Sequence, residues 1–104
     1  MTMKLLTKEI LKKLPPLYSQ ENNPDPMVWV KFFDPTGSWT WYATEGSPDG
    51  DDFIFFGLVK GFEDELGIFS LNELTKFRKR FGLGIERDMY FKPVPLSQIP
   101  RRGI

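Results

Sequence analysis

Apolar and polar residues alternate along this chain in two rhythms, and each predicts its own kind of element. Near the N-terminus, Leu6, Ile10, Leu11 and Leu14 recur at helical spacing on one face, with Lys8, Lys12 and Lys13 outside it. Thr7 stands where an N-cap belongs, because its hydroxyl oxygen can accept a first-turn N–H. Leu6 before that cap and Leu11 after it fit a hydrophobic staple. Pro15 and Pro16 end the helix, since Leu14 before a proline is driven toward extended geometry.

The rhythm then shortens. Turn formers fill the stretch from Tyr18 to Pro26, which reads as a loop. Met27 to Phe33 is β-branched and aromatic, and alternation puts Val28, Val30 and Phe32 on one face of a strand. Asp34-Pro35-Thr36-Gly37 supplies a turn, and Ser38 to Thr44 returns as the second arm of a hairpin. Gly46 to Asp52 reads as a polar loop. Phe53 to Lys60 is apolar on both faces, which predicts a strand at the sheet centre with cover on each side. Gly57 within it predicts a bulge or close packing against a large neighbour such as Trp. Glu63-Asp64-Glu65 reads as an acidic turn, and Gly67-Ile68-Phe69 as a short fourth strand.

Ser70-Leu71-Asn72-Glu73 matches a capping box, and the spacing predicts a helix over about 70–81. Leu71, Leu74, Phe77 and Phe81 would form its inner face, with Lys76, Lys79 and Arg80 opposite. Gly82 and Gly84 stop it, Ile85 to Phe91 fits a last strand, and Pro93, Pro95 and Pro100 make the tail an extended strap. The expected fold class is α+β. It is an antiparallel meander of four to five strands, with the capped helix packed on it, a short N-terminal helix and a proline-rich C-terminal strap. A chain of 104 residues fits one domain. Its ten Phe and three Trp give so short a chain a substantial apolar core.

Composition narrows the chemistry. Neither Cys nor His occurs, which removes disulfides, thiolate nucleophiles, Ser-His-Asp catalysis and the usual zinc ligands. Lys and Arg number 14 and so do Asp and Glu, so the chain is not a basic sheath for nucleic acid. No apolar run approaches a membrane span, and the first residues lack the apolar core of a signal peptide; a cytoplasmic protein is expected.

The blocks Leu5-Leu6-Thr7-Lys8-Glu9-Ile10, Leu14-Pro15-Pro16-Leu17-Tyr18, Val30-Lys31-Phe32-Phe33 and Ser38-Trp39-Thr40-Trp41-Tyr42 carry a resemblance. Glu45, Phe56-Gly57-Leu58-Val59, Gly67-Ile68-Phe69-Ser70-Leu71 and Ile85-Glu86-Arg87-Asp88 continue it over nearly the whole chain. With these blocks the sequence resembles a family of small proteins, a domain of unknown function, encoded on bacterial plasmids, integrative elements and phages. The resemblance implies a mobile-element protein and implies no reaction.

Several residue groups offer chemistry. Glu45, Glu86 and Asp88 would serve as metal ligands or an acid/base pair if they converged. Glu86 and Asp88, two apart, share a strand face, and Arg87 points the other way; the simpler expectation is an Arg87–carboxylate clamp tying the tail to the sheet. Asp49-Gly50-Asp51-Asp52 fails the EF-hand pattern and reads as a solvated turn. Trp39 and Trp41 share a face, which is either core or, if exposed, a platform for stacking bases. Pro15-Pro16-Leu17-Tyr18 fits the Pro-Pro-x-Tyr pattern of WW-domain ligands, but a helix stop with Tyr18 packed down is the expectation. Lys60-Gly61-Phe62 opens like an RNA-binding octamer, and the acids that follow destroy the match.

Charge is unevenly spread. From Glu45 to Glu65 seven acids face one base, a net charge of −6, whereas Lys76 to Arg80 carries four bases and no acid. That basic helix face is either solvated or seated on phosphates. Three functions remain open. The first is a non-enzymatic protein-interaction or regulatory module with a protein partner and no cofactor. The second is a nucleic-acid binder using Lys76, Lys79, Arg80 and exposed aromatics. The third is a carboxylate- or metal-dependent hydrolase around Glu45, Glu86 and Asp88. Without a phosphate loop or nucleophile elbow, an enzyme is disfavoured.

Overall fold

A computed structural model describes residues 5–77 and 84–100. Helix α1 (Lys8–Lys13) starts as its sequence dictates: the Ile10 N–H donates to the Thr7 hydroxyl at 3.2 Å. The strands follow as β1 (Met27–Val28), β2 (Val30–Phe33), β3 (Thr40–Asp49), β4 (Asp52–Lys60) and β5 (Asp64–Ser70). Helix α2 (Leu71–Lys76), β6 (Glu86–Arg87), β7 (Val94–Pro95) and a 3-10 turn at Leu96–Gln98 complete the chain. Five strands form one antiparallel sheet in the order β5-β4-β3-β2-β6, while β1 and β7 pair as a separate ribbon. The meander with helices beside it is therefore present, as an α+β fold dominated by its sheet.

Both faces of the sheet are covered. On the first, Val30, Phe32, Trp41, Phe55 and Phe69 pack beneath Leu5, Leu14 and Leu74, which come from the N-terminal segment and α2. On the second, Val28 and Leu58 meet Leu96 and Ile99 of the tail. The strap is fixed by hydrogen bonds as well as by burial: Leu96 N–H donates to the Pro26 carbonyl at 2.9 Å, and Lys60 Nζ donates to the Pro100 carbonyl.

The structure changes several sequence expectations. The stretch 46–52 is not a loop: β3 and β4 form a long hairpin whose two-residue turn is Gly50-Asp51, with Gly50 at φ +58°. Turn-forming residues in β3 are held there by Phe53, Ile54 and Phe55 opposite, which favour a strand strongly. Strand β5 takes in Asp64 and Glu65 from the expected acidic turn. β4 is flanked by strands on both sides, yet the middle of the sheet belongs to β3. The expected strand 27–33 divides at Trp29, because Met27 and Val28 turn to pair with the tail.

Two further expectations fail near the C-terminus. Helix α2 does begin at a Ser70 cap, whose oxygen accepts the Glu73 N–H at 3.1 Å, but it ends at Lys76 and not near 81. Phe77 is extended (φ −69°, ψ 115°) and lays its ring edge-on to Trp41 at 5.7 Å, so packing takes the chain off the helical path. Lys79 and Arg80 lie outside the described residues. The expected last strand shortens to Glu86–Arg87, because an Asx turn follows in which Asp88 Oδ1 accepts the Tyr90 N–H at 2.9 Å.

Candidate functional site

One candidate site lies on the second face, where the loop after α1 meets the middle of β3. Three hydrogen bonds stitch loop to strand. Gly46 N–H donates to the Pro15 carbonyl at 3.0 Å, Leu17 N–H to Ser47 Oγ at 2.8 Å, and Gln20 N–H to Glu45 Oε2 at 3.3 Å. Between them Pro16 to Ser19 makes a turn closed by Ser19 N–H to the Pro16 carbonyl at 3.0 Å. Tyr18 holds its third position with φ +69°. That is the type II pattern, in which the third residue is normally glycine. A tyrosine there carries backbone strain, yet its side chain gains little packing in return, being 57% exposed.

A bulge in β3 brings Glu45 to the same place. Ala43 stands opposite Gly57 and Glu45 opposite Phe56, so Thr44 is the extra residue. Strict alternation from Trp41 and Ala43 would send Glu45 into the first core. The bulge moves it instead to the register position of Phe56, on the second face. Thr44 Oγ1 donates to the Phe56 carbonyl at 3.2 Å and fixes the irregularity. Gly57 permits the approach, because a Cβ there would meet the Tyr42 carbonyl. The close neighbour expected of Gly57 is thus backbone and not a Trp ring; Trp39 stacks over Gly61 instead.

The result is a cleft of about 410 Å³ lined by Tyr18, Pro24, Thr44, Glu45, Phe56 and Leu66 among others. Glu45 is only 3% exposed, while Leu66 at the rim is 48% exposed. Leu66 belongs to β5, which pairs only with β4 among the described residues and so leaves a strand edge open. Ile68, also 48% exposed, extends the apolar strip along that edge strand.

The other residues singled out from sequence lie elsewhere. Glu86 opposes Phe33 and Arg87 opposes Phe32 on edge strand β6. Glu45 is two strands away from Glu86, at about 4.8 Å each, and five residues further along β3, at about 3.3 Å each. These carboxylates therefore do not converge. Among the described residues no three carboxylates are placed to hold a metal ion. Asp88 pairs with Lys31 of β2 at 3.5 Å, and its N–H donates to the Lys31 carbonyl at 2.9 Å, so side chain and backbone both tie this part of the tail to the sheet. Arg87 and Asp88 line a separate cleft of about 400 Å³ with Lys13 and Trp29.

Trp41 is buried and stacks on Trp39 at 5.9 Å, and Trp39 meets Phe62 edge-on at 5.4 Å. Trp41 belongs to the packed first face, and Trp39, half-buried, packs against that core. Lys76 is exposed in the last turn of α2. The acids at the hairpin tip have a structural task in Asp52, whose Oδ1 accepts the N–H groups of Phe53 at 2.7 Å and Asn72 at 3.0 Å.

Sequence reasoning passed over Tyr18 as a residue packed against a helix stop. The available signal was a non-glycine residue in a proline-led turn, which only backbone geometry makes visible. The exposure of Leu66 and Ile68 has no sequence signal, because alternation does not reveal which strand forms an edge.

The fold and cleft define a small α+β protein with a recess beside an open strand edge. The chain belongs to the family described as protein of unknown function (DUF2958), whose model matches residues 5–100. No curated protein and no solved structure matches it. No helix among the described residues is long and apolar enough to cross a membrane.

Proposed function

We propose that this chain is a non-enzymatic protein-interaction module that docks an extended, basic segment of a partner protein against β5 and the adjoining cleft. The observation that carries this reading is the strained, exposed Tyr18 standing over a cleft lined by buried Glu45, next to an open edge strand. Backbone strain retained at an exposed side chain points to a task outside folding. An open edge offers main-chain hydrogen bonds to an added strand, and Leu66 and Ile68 offer it apolar contacts. The charge of the partner follows from Glu21 and Glu45 in the cleft and Glu63 and Glu65 beside the edge. The resemblance to plasmid- and phage-encoded proteins suits a cytoplasmic regulatory accessory of a bacterial mobile element.

The test is affinity capture from nuclease-treated bacterial lysate with the wild-type chain and with Ile68→Glu. The expected result is a protein held by the wild type and lost by the variant, whose added charge opposes burial of the strip. Identical capture by both chains, or binding that disappears with nuclease, would overturn the reading.

A further inference from the structure

We infer that the Tyr18–Glu45 cleft is an arginine pocket, which receives the guanidinium of one arginine in the docked segment. The inference rests on the interaction reading above and adds the chemistry that the partner must present.

Glu45 is the first ground. Its side chain lines the cleft, is nearly fully buried, and accepts one long backbone hydrogen bond on Oε2. Among the described residues no Lys or Arg forms an ion pair with it. A carboxylate has about four acceptor sites, so most of its capacity is left for a ligand. Burial without a countercharge makes an incoming cation more valuable than it would be at the surface. Among the described residues that line the cleft, the only other charged one is Glu21, also an acid.

The walls select the kind of cation. Tyr18 and Phe56 supply rings, and Leu66, Pro24 and Pro26 supply apolar surface. A guanidinium is planar, weakly hydrated and able to stack on a ring while binding a carboxylate through two N–H groups. An ammonium holds its water more strongly and lacks the plane. A divalent metal needs several oxygen ligands, and among the described residues this cleft has a single buried carboxylate. The exposed ring of Tyr18, held out by its left-handed backbone, is placed to close over the aliphatic stem of the arginine.

The test is an NMR titration of the isotope-labelled full chain with N-acetyl-arginine methylamide, its neutral citrulline counterpart and its lysine counterpart. The expected result is saturable shifts centred on Tyr18, Glu45 and Phe56, with arginine bound roughly tenfold more tightly than citrulline or lysine. Glu45→Gln should bring arginine down to the citrulline level. Tyr18→Gly, which suits the backbone at that position, should weaken arginine several-fold with the spectrum otherwise preserved. Should Glu45→Gln disturb the fold, Tyr18→Gly and the citrulline comparison decide the matter. Equal binding of arginine and citrulline, equal binding of arginine and lysine, or unaltered binding by Glu45→Gln would overturn the inference. Partner capture that depends on Ile68, combined with indifference to arginine, would remove this inference and leave the interaction reading standing.

Discussion

Asp25 holds Ser97 across 72 residues of sequence: Oδ1 accepts the Ser97 backbone N–H at 2.8 Å and Oδ2 accepts its hydroxyl at 2.7 Å. One carboxylate thereby fastens the C-terminal strap to the loop that borders the cleft. The Ser97 hydroxyl, and after it the Ser97 N–H, hold the Asp25 carboxyl below its ordinary value of 3.8. A carboxyl depressed on folding adds stability that is complete above its unfolded pKa and lost as pH falls through the lower folded value. The strap should therefore hold at neutral pH and loosen only below about pH 3.8. Asp25→Asn should melt below the wild type at about pH 7, and that gap should close as the pH drops toward about 2. Thermal melts of both chains across this range check it.

Gly57 and the Tyr42 carbonyl give a second prediction. A Cβ at position 57 would overlap backbone, which cannot swing aside as a flexible side chain would. Gly57→Ala should cost about 2–3 kcal/mol by forcing β3 and β4 apart beside the bulge. The effect should reach the cleft, because Thr44 and Glu45 are set by that pairing. Chemical denaturation gives the stability loss, and amide shifts at Glu45 report the local change.

The N-cap of α2 supplies a third. Ser70 is buried, its hydroxyl oxygen satisfies the Glu73 N–H, and Asp52 satisfies the next exposed donor at Asn72. Ser70→Ala should cost about 1 kcal/mol, the usual value of such a cap. Ser70→Asp should restore much of that only if Asp52 is removed as well, since two carboxylates would otherwise crowd one helix start. Equilibrium denaturation of the single and double variants reads the coupling.

Much of this architecture is visible in the residues, and the reasons for the remainder are specific. Thr7 and Ser70 announce their helices because capping is local chemistry. The Asp34–Gly37 turn and its flanking strands are equally local. What the sequence conceals is decided across strands. Gly46, Ser47 and Pro48 look like loop residues, and only Phe55, Ile54 and Phe53 opposite them make a strand. The end of α2 depends on Phe77 finding Trp41, a contact spanning 36 positions of chain. Glu45 is legible as an unusual acid after an aromatic strand, but the bulge at Thr44 that turns it to the second face is not. Leu66 and Ile68 become meaningful only once β5 is known to be an edge.

Tyr18 yields the prediction that separates folding from function. At φ +69° a tyrosine is strained and a glycine is not. Relief of that strain favours Tyr18→Gly, while the greater freedom of glycine in the unfolded chain opposes it by about 0.5–1 kcal/mol. The lost ring removes little packing, because the residue is more than half exposed. The variant should therefore match or slightly exceed the wild type in stability, within about 1 kcal/mol. Ligand capture at the cleft should fall at the same time. A residue kept for stability would show the reverse, with a clear loss in denaturation and no selective loss in binding. Parallel denaturation and binding measurements on Tyr18→Gly distinguish the two, and Tyr18→Phe, which keeps both ring and strain, should retain binding.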